Sequence, residues 1–231
     1  MSKDSLAEKI IQYHQNLSCD VALPEEFAIL NPFRENPETR QVMQQFYRKF
    51  YNDSHPRKFM IGINPGRFGA GITGIAFTDT KHLKSHCGID FSGKDSHEPS
   101  AVFVYKMIEA YGGVAAFYRD IYIHSVFPLA LIRRKAENRW VNCNYYDDKR
   151  LQTLLKPFMV THLQEQLQLG LKRDMAFVLG KKNAGFVAAL NDEYGFFDRL
   201  EVLEHPRYIQ QYKSKEAGAY AQKFVDLLKS I

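Results

Sequence analysis

The sequence predicts an α/β fold, a central, mainly parallel four-stranded sheet with helices on both faces. Three observations carry this reading. Four β-rich runs, at residues 58–63, 120–125, 174–179 and 199–204, are each about six residues long, the usual length of a strand. Helical stretches separate them, and that alternation marks crossover connections between parallel strands. The chain of 231 residues, 45% of them hydrophobic, is long enough for one well-packed domain and short for two.

The helices follow from spacing. Near the N-terminus Leu6, Ile10, His14 and Leu17 fall on one face. Asn36-Pro37 reads as an N-cap with proline in the first turn, opening a helix that carries Val42, Met43, Phe46, Tyr47 and Phe50. These helices, within residues 1–57, are expected to pack on a single domain spanning 1–231. Pro99 opens another helix, bearing Val102, Tyr105 and Ile108 and ending at Gly112-Gly113. Residues 147–169 are helical by pattern but contain Pro157, which predicts two helices or a kink. Residues 183–191 form a short Ala-rich helix. The last helix, 216–230, buries Ala217, Ala221, Phe224, Val225 and Leu228. Stripes of this kind are core.

Composition removes several function classes. The 31 Lys+Arg against 26 Asp+Glu leave +5, a mildly basic balance that permits a polyanionic partner without demanding one. Cys19, Cys87 and Cys143 are far apart and include no C-x-x-C pair, so neither a thiolate-held metal or Fe–S cluster nor a disulfide framework is expected. The charged start lacks a signal-peptide core, and nowhere do about 18 apolar residues run together. The expectation is a soluble intracellular protein, cytoplasmic or nuclear, without metal or cofactor.

In a parallel sheet, ligands collect beyond the carboxyl ends of the strands. The first strand leads into Gly62-Ile63-Asn64-Pro65-Gly66-Arg67-Phe68-Gly69 and then Thr73-Gly74-Ile75-Ala76-Phe77. Its glycines let backbone approach a ligand, Asn64 offers an amide suited to holding a water, and Phe77 offers a flat apolar face. A Gly-rich surface turn with a capping Asn would look the same. Neither a phosphate-binding P-loop nor a dinucleotide fingerprint can be read here. The second strand ends in His124-Ser125, followed by Arg133-Arg134-Lys135. Ser125 either meets a base edge or caps the strand. His124, on the opposite face, reads as structural. Arg133 and Arg134 belong either to a solvated loop or to a phosphate contact. After the third strand, Gly180-Lys181-Lys182 opens a helix and makes an anion site or an ordinary helix start. The fourth strand leads into His205-Pro206-Arg207-Tyr208 and Tyr212-Lys213, cations interleaved with tyrosines. A polar loop before the last helix is the alternative.

Together these residues resemble the uracil-DNA glycosylase superfamily, most nearly its single-strand-selective monofunctional branch, whose first motif reads G-M-N-P-G-P-F-G and then T-G-x-P-F and whose second begins H-P. The resemblance runs from about Lys58 to the C-terminus and implies a three-layer α/β/α sandwich. It implies that Asn64 positions the attacking water and that His205 stabilises charge on the departing base. It further implies a base pocket built from Gly62, Ile63, Pro65, Gly66, Phe68 and Phe77, with Phe77 stacking on the base. Two positions depart from the branch. Ser125 stands where an asparagine reads the base edge, and Arg207-Tyr208 follows Pro206 where the branch has S-P-R.

The implied activity is hydrolysis of the N-glycosidic bond of uracil and other damaged bases in DNA, by base flipping and water attack, in a monomer. Arg133, Arg134, Lys181, Lys182, Arg207, Tyr208 and Lys213 are the expected DNA contacts. Two alternatives stay open at this level. One is a catalytically weak DNA- or nucleotide-binding protein on the same scaffold; the other is hydrolysis of a free nucleoside or nucleotide.

Overall fold

In a computed structural model, residues 5–93 and 95–230 are described. The chain runs α1 (Leu6–Asn16), β1 (Phe27–Leu30), α2 (Pro32–Glu35), α3 (Pro37–Phe50), β2 (Lys58–Gly62), α4 (Ala70–Thr73), α5 (Thr80–Cys87), α6 (Pro99–Tyr111) and α7 (Val114–Asp120). It continues with β3 (Ile121–Ser125), β4 (Ala130–Arg134), β5 (Trp140–Asn142), α8 (Lys149–Gln168), β6 (Ala176–Leu179), α9 (Lys181–Tyr194), β7 (Leu200–Leu203), α10 (Pro206–Tyr212) and α11 (Ala217–Lys229). Among the described residues, no helix is long and apolar enough to cross a membrane.

The four predicted strands form one parallel sheet in the order β3-β2-β6-β7. Their side chains are buried on both faces in β2, β3 and β6, as sheet layers covered by helices require. Pairing sets Gly62 beside Ser125 and Leu179 beside Leu203. The loops after all four strands therefore leave from one edge of the sheet.

Local chemistry explains the helix starts. The Asn36 side chain accepts from the N–H groups of Glu38 and Thr39, with Pro37 at the first helical position. Toward the other end of the chain Ala217, Ala221, Phe224, Val225 and Leu228 are all buried, as their spacing predicts. Residues 147–169 differ from expectation, because α8 passes through Pro157 as a single helix. Pro157 and Thr153, whose carbonyl loses its partner, both face solvent, where water can replace the missing bond.

The sequence pattern does not reveal a second sheet, β1-β4-β5, which is antiparallel. Arg133 and Arg134 lie in its middle strand instead of in a loop. Lys213 follows α10, a helix where a polar loop was the alternative. His124 is structural, as its place on the strand predicts: it is buried, and its Nε2 lies 3.0 Å from Nε2 of His14. His14 Nδ1 donates to the Ile10 carbonyl, so His124 Nε2 carries the proton of that contact.

Candidate active site

A cleft of about 910 Å³ opens at the carboxyl edge of the parallel sheet, and residues from both ends of the sequence pattern meet in it. Asn64, two residues beyond β2, is held through its amide alone. Nδ2 donates to the carbonyl of Cys143 at 3.1 Å and reaches that of Pro65 at 3.3 Å, while Oδ1 accepts from the N–H of Tyr145 at 3.3 Å. These partners fix which end of the amide is oxygen. Both amide protons are used and one lone pair of Oδ1 is left, so Asn64 can accept a hydrogen bond from a water.

The strand of chain that holds Asn64 is itself pinned. Tyr145 is fully buried and its hydroxyl donates to Oδ1 of Asn183 at 2.7 Å. Asn183, in the first turn of α9, donates to the carbonyls of Ile61 and Leu179. The sheet edge thus reaches Asn64 through two buried side chains.

Phe77 adopts φ +52, a left-handed conformation that costs a phenylalanine roughly 1–3 kcal/mol. Its ring lies over Gly62, where a Cβ would come within 2.9 Å of Cε2. Gly62 is therefore beneath the aromatic wall instead of lining the cleft. The rings of Phe77 and His205 stand 6.1 Å apart.

His205 caps α10, its Nδ1 accepting from the N–H of Arg207 at 3.2 Å. The ring proton is consequently on Nε2. Burial, assisted by the Arg207 charge, lowers its pKa from 6.5 to about 4, which leaves a neutral imidazole with one N–H donor at neutral pH. Gly180, at φ +91, makes room for it; a Cβ there would meet that of His205 at 3.3 Å.

Ile63, Pro65, Gly66, Phe68, Lys181, Lys182, Arg207 and Tyr208 also line the cleft. Ser125 does not. It borders a separate void of about 10 Å³ with Pro65, Ala76 and Pro128. Arg133 and Arg134 also lie away from the cleft lining: Arg133 stacks on Phe27, and Arg134 pairs with Glu25 at 3.7 Å. Lys213, outside the lining too, pairs with Glu216 at 3.0 Å.

Several lining residues are invisible to motif reading, among them Asn142, Cys143, Asn144, Tyr146, His97 and Glu98. The amide- and tyrosine-rich stretch 142–146 is the available signal for the first four. Nothing local marks Glu98.

This architecture defines a class: a parallel α/β sandwich with an amide, an aromatic ring and a neutral imidazole in one open cleft at the carboxyl edge of the sheet. The uracil DNA glycosylase superfamily profile matches residues 48–229, and the chain belongs to that superfamily. It is a DNA glycosylase, a hydrolase of N-glycosyl compounds acting on DNA in base excision repair. The crystal structure of wild-type SMUG2 from Pedobacter heparinus is similar over almost the whole length, with a TM-score of 0.95 and 44% identity, covering 98% of this chain and 97% of that one. No functionally curated protein matches the chain in sequence.

Proposed function

We propose that this glycosylase releases uracil from DNA by extruding the nucleotide into the cleft and attacking C1′ with water, without a covalent enzyme intermediate. The observation that carries this is the pairing of unused valences. Asn64 Oδ1 has one free lone pair for a water, and His205 Nε2 has one proton for the leaving base, in the same cleft as Phe77.

Extrusion costs a few kcal/mol, least for mispaired or unpaired bases. Stacking on Phe77 returns roughly 1–3 kcal/mol. As the glycosidic bond breaks, negative charge gathers on the base carbonyls. A neutral imidazole aimed at that charge gains strength in the transition state, a contribution on the order of 10²–10³ in rate for one preorganised donor. An amide orients water but is a feeble base, so the bond to the base must be largely broken before water attacks, and the proton the water sheds on bonding to C1′ passes to the departed uracil anion directly or through solvent. Lys181 and Lys182, exposed at the uncapped start of α9, and Arg207 supply cations for phosphates. Phe68, Tyr208 and Tyr212 expose half or more of their surface, or nearly so, and offer rings to neighbouring bases. The room in the cleft extends the proposal to other damaged bases that share uracil's N–H and carbonyl edge.

A labelled oligonucleotide with one uracil, treated with alkali after incubation, tests the reading. Wild type cuts, while Asn64→Ala and His205→Ala are slowed by at least about a hundredfold each. Equal cutting by all three removes the assignment. Tight binding of uracil DNA without base release would instead favour a binding protein.

A further inference from the structure

The cleft accounts for the extruded nucleotide and leaves open where the rest of its strand runs. Through Asn142 the cleft lining continues outward along the hairpin of β4 and β5. Asn142 Oδ1 accepts the N–H of Arg67 at 3.2 Å, which ties the hairpin to the loop after β2.

The register divides the hairpin into two faces. Ile132 pairs with Asn142 and Arg134 with Trp140, and directly opposed residues share a face. Arg134 and Trp140 therefore stand on the side of Asn142. A strand advances about 3.3 Å per residue, which puts Trp140 about 7 Å outward from Asn142. That is about two steps of a stacked nucleic-acid strand, at about 3.4 Å each. Beyond it the turn carries Lys135 and Arg139, both exposed, joined by the bond from the Lys135 N–H to the Arg139 carbonyl at 2.9 Å. The other face is built differently. Phe27, Arg133 and Val141 lie there, and Arg150, stacked on Phe27, holds Glu26 at 2.6 Å and Asp148 at 2.8 Å.

Charge favours a polyanion on the first face. Residues 134–142 hold three cations, Arg134, Lys135 and Arg139, against one acid, Glu137. Arg134 is paired with the well-exposed Glu25 at 3.7 Å, a contact worth little in water. Among the described residues, neither Lys135 nor Arg139 has an acidic partner. Arg67 adds a charge where hairpin and cleft meet, its guanidinium over the exposed ring of Phe68. Trp140, the one tryptophan of the chain, is only partly buried. Cations for phosphates flanking a ring for a base form the combination that tracks a strand without reading its sequence. We propose that this face of the β4–β5 hairpin, Trp140 with Arg134, Lys135 and Arg139, binds the DNA strand on one side of the extruded nucleotide. It rests on the reading that the lesion strand enters the cleft, and adds the path by which that strand leaves.

With a single tryptophan, intrinsic fluorescence reports on this face. Wild type is titrated with single-stranded oligonucleotides carrying a tetrahydrofuran abasic analogue, short or extended by about six nucleotides to the 5′ or the 3′ side. Extension on one side quenches Trp140 and tightens binding about tenfold, and extension on the other leaves Trp140 unchanged. The Lys135→Ala/Arg139→Ala variant loses most of that gain, and its salt slope falls by about 0.7 for each phosphate no longer neutralised. Its release of uracil from a short oligonucleotide equals that of wild type. Fluorescence unmoved by either extension, quenching by both alike, or a variant that gains affinity as wild type does overturns the hairpin contact while uracil release stands. No uracil release by wild type, with one-sided quenching intact, overturns the glycosylase reading and leaves the DNA contact standing.

Discussion

The hydroxyl of Tyr145 and the side-chain oxygen of Asn183 meet at 2.7 Å, both fully buried, and through them the end of the parallel sheet sets the attitude of Asn64. Neither residue lines the cleft. Under the proposed mechanism they act on the reaction through the backbone N–H that Tyr145 offers to Asn64.

Tyr145→Phe therefore removes a positioning bond and leaves a buried amide oxygen of Asn183 unpaired, at a cost of about 1–3 kcal/mol in stability. Single-turnover rate is expected to fall about tenfold with KM little changed, because the water site is disturbed and base binding is not. A rise in KM alone would show that the pair serves the base instead.

Gly62→Ala places a methyl 2.9 Å from Cε2 of Phe77 and 3.0 Å from Cζ. The ring must move, and its strained backbone offers little slack. Loss of stacking worth roughly 1–3 kcal/mol predicts uracil release slower by about tenfold or more. An unaltered rate would mean that the ring's position is immaterial to catalysis.

Acid should unfold the protein in a window set by its buried histidines. Burial lowers both His14 and His205 to about 4 from the ordinary 6.5, so each is neutral in the fold and protonates more readily once unfolded. Their contribution is complete above pH 6.5 and is lost as pH falls toward 4, about 1.4 kcal/mol per unit for each group. Melting temperatures of His205→Asn should fall less steeply over that interval than those of wild type. Parallel profiles would contradict the neutral, buried imidazole.

Binding to DNA should be divided between cations and rings. The Lys181→Ala/Lys182→Ala double variant is expected to weaken binding of every sequence and to lower the salt slope by about 0.9 for each phosphate no longer neutralised. Tyr212, 71% exposed beside Tyr208, predicts a different phenotype. Tyr212→Ala weakens binding by about 1–3 kcal/mol with the salt slope unchanged. Titrations at several salt concentrations separate the two.

The parallel sheet was legible because its strands are short apolar runs set off by amphipathic helices, a pattern local to each element. Asn64 and His205 were legible because each follows a strand end beside a glycine or proline, and Phe77 because the Gly-rich stretch that begins with Asn64 runs on to it and resembles the superfamily motif. Residues 130–142 were not, since β4 and β5 are brief and the cationic Arg133-Arg134-Lys135 looks like loop; only pairing with β1 makes it a sheet. Glu98 could not be found, because its environment is built by Asp79, Gly66, Gly69 and Arg207, from three other parts of the chain. The continuity of α8 through Pro157 likewise depends on which side of the helix meets water, a tertiary fact.

The small sheet gives the molecule an unusual division of labour. The stretch 143–145, which grips Asn64, emerges from β5, whereas Asn64 itself leaves β2 in the parallel sheet. The side chain proposed to hold the attacking water is thus gripped from two different sheets. Lengthening or shortening the turn at Glu137 and Asn138, both left-handed and outside the cleft lining, should retune the reaction while the scaffold beneath Phe77 and His205 stays untouched. A change made outside the cleft would thereby reach the amide inside it through the carbonyl of Cys143 and the N–H of Tyr145.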